Sequence, residues 1–181
     1  MASFRVSIRL GVLSLLLAAA AGSASAADEI KAGNKPIDPQ RYLGRWYEVA
    51  RLPNGFQKNC EAATSDWSKK GNGQYDVVQT CHTGSPSGPP QNWRGVGRVL
   101  DQTTARIRIA FFAGFIKQDY VVVDRSDDYS WCILATTTPK FVWIMSRRAV
   151  LNSAQKSVLV ARAKQLGLNL TGLVFDQQPP G

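Results

Sequence analysis

The chain has 181 residues, 22 Lys and Arg against 13 Asp and Glu, a formal charge of +9, three cysteines and one histidine. With His82 alone and no C-x-x-C pair, the composition argues against a zinc centre. The basic balance favours anionic partners in general, but the charges form no run of five or six, which argues against a nucleic-acid arm.

Residues 1–9 carry Arg5 and Arg9, an apolar run covers 10–21, and small residues end in Ala24-Ser25-Ala26. A basic start, a short apolar core and an A-x-A end predict a secretory signal peptide over 1–26. The run falls short of the ~20 apolar residues that span a bilayer, so a retained anchor is the weaker alternative. No cysteine lies near the cleavage point, so no lipidated N-terminus is expected. Export then means the periplasm, association with the outer membrane, or secretion. Without Arg5 and Arg9 the charge is +7, which suits peripheral contact with an anionic membrane and, with export, excludes nucleic acid. Residues 27–38 are polar, contain Gly33 and Pro36, and read as an N-terminal arm; 39–181 is long enough for one domain with a real core.

Short runs rich in β-branched and aromatic residues follow at 44–51, 61–68, 74–81, 93–99, 105–111, 120–124, 131–137 and 142–147. Breakers separate them, including Gly71-Asn72-Gly73 and the Gly- and Pro-rich stretch 84–90. Tyr75, Val77 and Gln79 alternate with Asp76, Val78 and Thr80, and Ile107 and Ile109 alternate with Arg106 and Arg108. Each strand therefore has one buried and one wet face. A single helix is expected at 153–166, capped by Ser153 and stopped at Gly167, with Val158, Leu159, Ala161, Ala163 and Leu166 as its apolar side. Residues 173–175 suit a ninth strand. One helix cannot cover two sheet faces, so the pattern predicts an all-β fold, an eight-stranded antiparallel up-and-down barrel with one C-terminal helix packed outside.

Asp38-Pro39-Gln40-Arg41-Tyr42-Leu43-Gly44-Arg45-Trp46-Tyr47-Glu48-Val49-Ala50-Arg51 resembles the Gly-x-Trp-Tyr first-strand motif of the lipocalins. Phe141-Val142-Trp143-Ile144-Met145-Ser146-Arg147 resembles their third motif, and Asp119-Tyr120, after Gln118, matches two letters of the middle one. Phe111-Phe112-Ala113-Gly114-Phe115 and Gln177-Gln178-Pro179 are similar to the bacterial outer-membrane subgroup. The resemblance covers about 35–179 and implies a carrier of a small hydrophobic ligand, a fatty acid or lysophospholipid, serving the upkeep of the cell envelope. It assigns Gly44, Trp46, Asp119, Tyr120 and Arg147 to the structural motifs, with Arg147 lying over Trp46 at the closed end.

By period two, Phe141, Trp143 and Met145 share the face of Arg147, and they are placed inward as ligand-binding candidates. Tyr120, Phe111, Phe115 and the first-loop Phe56 complete the set; Phe56, Phe111, Phe112 and Phe115 edge the open mouth. Apolar walls select shape and greasiness, and ~0.8 kcal/mol per buried methylene makes a long chain sufficient for micromolar binding. Arg51, Arg94, Arg98 and Lys117 are rim candidates for an acidic headgroup.

An odd count of cysteines in an oxidising compartment suggests one bridge and one free thiol. Hairpin proximity favours Cys60–Cys81, given a bulge or a one-residue change of register; Cys60–Cys132, Cys81–Cys132 and no bridge remain open. Cys81 and His82 are strand neighbours pointing to opposite faces, which disfavours a catalytic pair. No catalytic residue, cofactor or metal is assigned. The alternatives are a lipocalin-like enzyme of isomerase or de-epoxidase type on an apolar substrate, and a ligand-free envelope interaction protein, monomeric or homodimeric.

Overall fold

A computed structural model describes residues 35–138 and 140–179. The signal segment and residues 27–34 of the arm lie outside the described residues. A one-turn helix, α1 (Pro39–Tyr42), leads into eight strands: β1 (Gly44–Arg51), β2 (Cys60–Gly71), β3 (Gln74–Thr83), β4 (Pro90–Asp101), β5 (Arg106–Phe111), β6 (Ile116–Arg125), β7 (Trp131–Thr136) and β8 (Val142–Ser146). Helix α2 (Ser153–Gln165) and a short β9 (Val174–Phe175) follow. Every neighbouring pair is antiparallel, and β1 pairs with both β8 and β2. The sheet is thereby closed, as expected of eight strands with a single covering helix, and no edge of the eight is left open.

Closure is uneven along β1. Its first half pairs with β2 through Gly44 to Tyr47, and a bulge between Glu48 and Ala50 then turns the second half away. β9 takes the vacated place beside Ala50 and Arg51. The C-terminal segment stitches the seam: Asp176 Oδ2 accepts from Ala63 N at 2.8 Å, and Gln178 Nε2 donates to the Ala63 and Glu48 carbonyls. The bulge also moves Arg51 out of the rim position expected for it. Arg51 is buried, ion-paired with Asp176 and bonded to the Cys60 carbonyl, so it holds the seam instead of meeting a headgroup.

Two apolar layers result. Inside the barrel lie Tyr42, Trp46, Trp67, Val77, Ile107, Ile109, Val122 and Met145. Outside, Val121, Val123, Ile133, Val142 and Ile144 pack beneath Leu159 and Ala163 of α2. The helix rests on a narrow i, i+4 stripe, so Val158 and Ala161 face solvent, contrary to the broader apolar side expected from the sequence. Its cap is Asn152 and not Ser153: Asn152 Oδ1 accepts from Gln155 N while Gln155 Oε1 accepts from Asn152 N, a reciprocal capping box. Gly167 ends it at φ +79°, with Leu168 N bonded to Ala163 O and Gly167 N to Lys164 O.

The β2–β3 hairpin is tighter than the five-residue turn implied by the sequence. Asn72 and Gly73 both adopt positive φ, as a two-residue turn matched to strand twist requires. Ser68 therefore faces Asp76, and a bulge between Cys60 and Ala62 brings Cys60 to Cys81 with Cα atoms 5.5 Å apart. The two are bridged, and Cys132 is free and buried.

Candidate functional site

The closed end is built first. Trp46 is fully buried, donates its indole N–H to the Tyr42 carbonyl at 2.9 Å, and is covered by the Arg147 guanidinium 3.7 Å from a ring centroid. Arg147 Nη1 donates to the Arg45 carbonyl, and Nη2 reaches the carbonyls of Arg41, Tyr42 and Leu43 at 2.8–3.1 Å. These carbonyls have no helical partner because α1 stops after one turn, so Arg147 serves as their cap. Gly44 holds φ +92° at this crossing, a conformation that costs glycine little. Tyr42, which also lines the interior, and Cys132 lie 3.9 Å apart beside this contact; burial pushes the Cys132 thiol up to about 12 and the Tyr42 phenol well above its usual range. Asp119 takes no part, since it pairs outside the wall with Arg108 through two bonds of 2.6 and 2.7 Å.

Above this floor is a cavity of about 130 Å³. Phe141, Trp143, Met145, Tyr120, Phe111 and Phe56 all line it. Tyr120 meets Trp143 edge-on at 5.7 Å, and Phe141 lies 6.1 Å from Trp143. Phe115 does not join them: it is 92 % exposed. The physical reason is the turn before it, where Phe112, Ala113 and Gly114 all have positive φ and reverse the chain so that Phe115 projects from the rim. Arg94, Arg98 and Lys117 line a shallow depression on the outer wall with Lys70, Asp76 and Arg108, not the interior.

Two glycines shape the interior. A Cβ on Gly97 would stand 2.7 Å from the Trp67 ring, and one on Gly95 would stand 2.8 Å from Ile109. β4 thus contributes empty inward positions that Trp67 and Phe111 fill.

The polar lining was not anticipated from the sequence. Glu48 is 2 % exposed and faces the cavity two residues beyond Trp46, on the inward phase of β1. The first loop dips into the mouth, and Asn54 caps its turn by accepting from Phe56 N and Gln57 N. Gln57 Nε2 donates to Glu48 Oε2 at 2.7 Å, and Gln57 Oε1 accepts from Trp143 Nε1 and Asn54 Nδ2. Deeper in, the Ser65 hydroxyl accepts from Trp67 Nε1 and Gln79 Nε2. Burial pushes the Glu48 carboxyl up to about 7, opposed by the Arg51 charge and the Gln57 hydrogen bond. Burial likewise raises the Tyr120 phenol, with the Glu48 charge adding to it. The signal for Glu48 was present: period two from Trp46 gives its orientation. Gln57 sits in a loop, where no period applies.

Cys81 and His82 are not brought together as a reactive pair. His82 Nδ1 lies 2.8 Å from the Gly88 carbonyl in the β3–β4 loop, and its neighbour Cys81 is bridged. Among the described residues no group of three His, Cys, Asp or Glu side chains is placed to hold a metal.

Comparison with known proteins agrees with the geometry. The profile of the lipocalin-like domain matches residues 37–178. The outer membrane lipoprotein Blc of Citrobacter freundii is 25% identical over 147 residues, covering 79% of this chain and 80% of its own. The protein of the same name from Escherichia coli K12 is 26% identical over 144 residues, with the same coverage. Among solved structures, insecticyanin of the tobacco hornworm Manduca sexta superposes with a TM-score of 0.66 at 15% identity, covering 83% of this chain and 85% of that one. Lobster apocrustacyanin A1 gives 0.61 at 18%, covering 78% and 80%. The closed barrel, the Arg147–Trp46 floor and the match across 37–178 together establish that the chain belongs to the lipocalin-like family.

Proposed function

We propose that this protein binds a lipid-like ligand of the fatty acid or lysophospholipid class inside the barrel and carries or stores it for maintenance of the cell envelope. The observation that carries this reading is the aromatic cavity of Phe141, Trp143, Met145, Tyr120, Phe111 and Phe56 above a sealed floor. Family membership supports a small hydrophobic ligand, and the name outer membrane lipoprotein, borne by the relatives, supports an envelope setting. The signal peptide read over 1–26 supports export. A void of about 130 Å³ is close to the size that holds one benzene, so a longer chain extends through the mouth past the Gln57 loop.

The mouth fits delivery at a membrane. Phe56, Phe112 and Ile116 line the cavity and are 60%, 48% and 40% exposed, and Phe115 projects beside them. The basic outer depression with Arg94, Arg98 and Lys117 adjoins Gly114 of the same turn. Apolar tips flanked by cations suit an anionic bilayer surface, which would let an acyl chain move without crossing water. Titration with acyl lipids, followed by quenching of tryptophan fluorescence, tests the reading. Saturable one-to-one quenching is expected, and a flat response to every acyl lipid would sink it.

A further inference from the structure

The barrel interior is mostly apolar, and the one carboxyl among its described lining residues, that of Glu48, is incompletely used. Glu48 Oε2 is committed to Gln57 Nε2. The orientation of Gln57 is dictated, because its carbonyl oxygen already receives the Trp143 indole N–H at 3.0 Å and the Asn54 amide at 2.6 Å. Only its NH₂ can face Glu48. Glu48 Oε1 receives no such bond from Gln57 and is not one of the sealed polar atoms of the interior; in a residue only 2 % exposed that lines the cavity, it opens onto that cavity. A carboxyl oxygen that opens onto the cavity from an otherwise buried residue is placed to receive a donor from whatever fills that space.

The charged and titratable groups around Glu48 are few. Arg51 on the same strand acts on it electrostatically but is itself tied to Asp176 and the Cys60 carbonyl. Tyr120 of β6 faces it across the cavity. On β8 its register partner is Met145, and on the first loop its partner is the neutral Gln57. Arg51 therefore moderates the carboxyl without capping its free oxygen.

We propose that Glu48 Oε1 is the polar anchor of the ligand site and accepts a hydrogen bond from a hydroxyl or amide N–H on the enclosed part of the ligand. This rests on the reading that the barrel holds an acyl lipid, and it narrows the class. A chain bearing a neutral donor completes the carboxyl's hydrogen bonding. A chain bearing a carboxylate at the same depth offers no donor and sets two like charges together in a low-dielectric interior. The barrel thus selects donor-bearing neutral amphiphiles over fatty-acid anions, and the discrimination is greatest above neutral pH.

The test compares 1-dodecanol with laurate, equal in chain length and different in head. Each is titrated into the exported protein at pH 8.5 and pH 6.0, with tryptophan fluorescence as readout, for the wild type and Glu48→Gln. The wild type should prefer dodecanol at least tenfold at pH 8.5, and Glu48→Gln, which removes the charge and keeps the shape, should narrow that ratio at least fivefold. In the wild type the ratio should also narrow at pH 6.0, a result that needs no variant to fold. A wild type that binds laurate as tightly as dodecanol at pH 8.5, or a folded Glu48→Gln with an unchanged ratio, overturns the anchor and leaves the acyl-carrier reading standing. Failure of both probes to bind at either pH overturns the anchor, and the acyl-carrier reading falls with it when lysophospholipids also leave the fluorescence unchanged.

Discussion

The Arg147 guanidinium lies 3.7 Å above the Trp46 indole, with its remaining N–H groups spent on four carbonyls of the segment that leads into the first strand. This one contact joins the two ends of the barrel sequence and closes its floor. Arg147→Ala should cost about 2–3 kcal/mol, from a cation–π contact and charge-assisted hydrogen bonds to the four carbonyls. In a domain of this size that lowers Tm by roughly 5–10 °C in a thermal melt. Ligand affinity should stay within about threefold, since Arg147 does not line the cavity. A variant as stable as the parent with lost binding would move Arg147 into the site.

The cysteines make a second prediction. Cys60–Cys81 closes a separation of 21 residues, so Cys60→Ser/Cys81→Ser should lose about 3 kcal/mol in denaturant titration. Cys132, fully buried and with its thiol held high at about 12, should resist maleimide in the native state and react once per chain after unfolding. Rapid labelling of folded protein would contradict its placement beside Tyr42.

Burial of Glu48 also sets a pH dependence of stability. Its carboxyl is raised from about 4.5 to about 7 in the fold, so the protonated form is favoured by folding. That contribution is present below pH 4.5 and is lost as pH rises through 7, a change of about 3 kcal/mol at most. Glu48→Gln should match the parent near pH 4 and exceed it in stability at pH 8.5. Parallel pH profiles for the two proteins would show that Glu48 is solvated.

At the mouth, Phe112→Ser/Phe115→Ser should leave the melting curve unchanged, because both rings are substantially exposed. Co-sedimentation with phosphatidylglycerol vesicles should fall at least fivefold. Retained vesicle binding would assign membrane contact to another face.

Much of this was legible in the sequence because a closed barrel repeats one rule. Alternation gave Ile107 and Ile109 an interior position, and it gave Trp143 and Met145 theirs from the phase of β8. Period two says nothing of positions where the backbone breaks it. The bulge after Glu48 turned Arg51 from a rim cation into a buried seam residue, and the left-handed turn at Phe112 and Ala113 sent Phe115 outward. Bulges and positive φ at non-glycine residues leave little trace in composition. Gln57 was hidden for a different reason: its role depends on where a loop folds, and only the Glu48 and Trp143 side chains meeting it reveal that role.

Trp143 is the wall residue most directly committed to the cavity, touching Tyr120 and Phe141 and donating to Gln57. Trp143→Ala should weaken acyl-lipid binding at least tenfold, read by calorimetry, while the circular dichroism of the barrel persists. Unchanged affinity in a folded variant would remove this strand face from the site.

Whether the barrel carries a lipid-like ligand is read without added probes by native mass spectrometry of the protein purified from its own host. A population heavier than the bare chain by the mass of one amphiphile is expected, released by organic solvent and abolished or reduced in Trp143→Ala. A spectrum of bare chain alone, unchanged after incubation with acyl lipids, would contradict it.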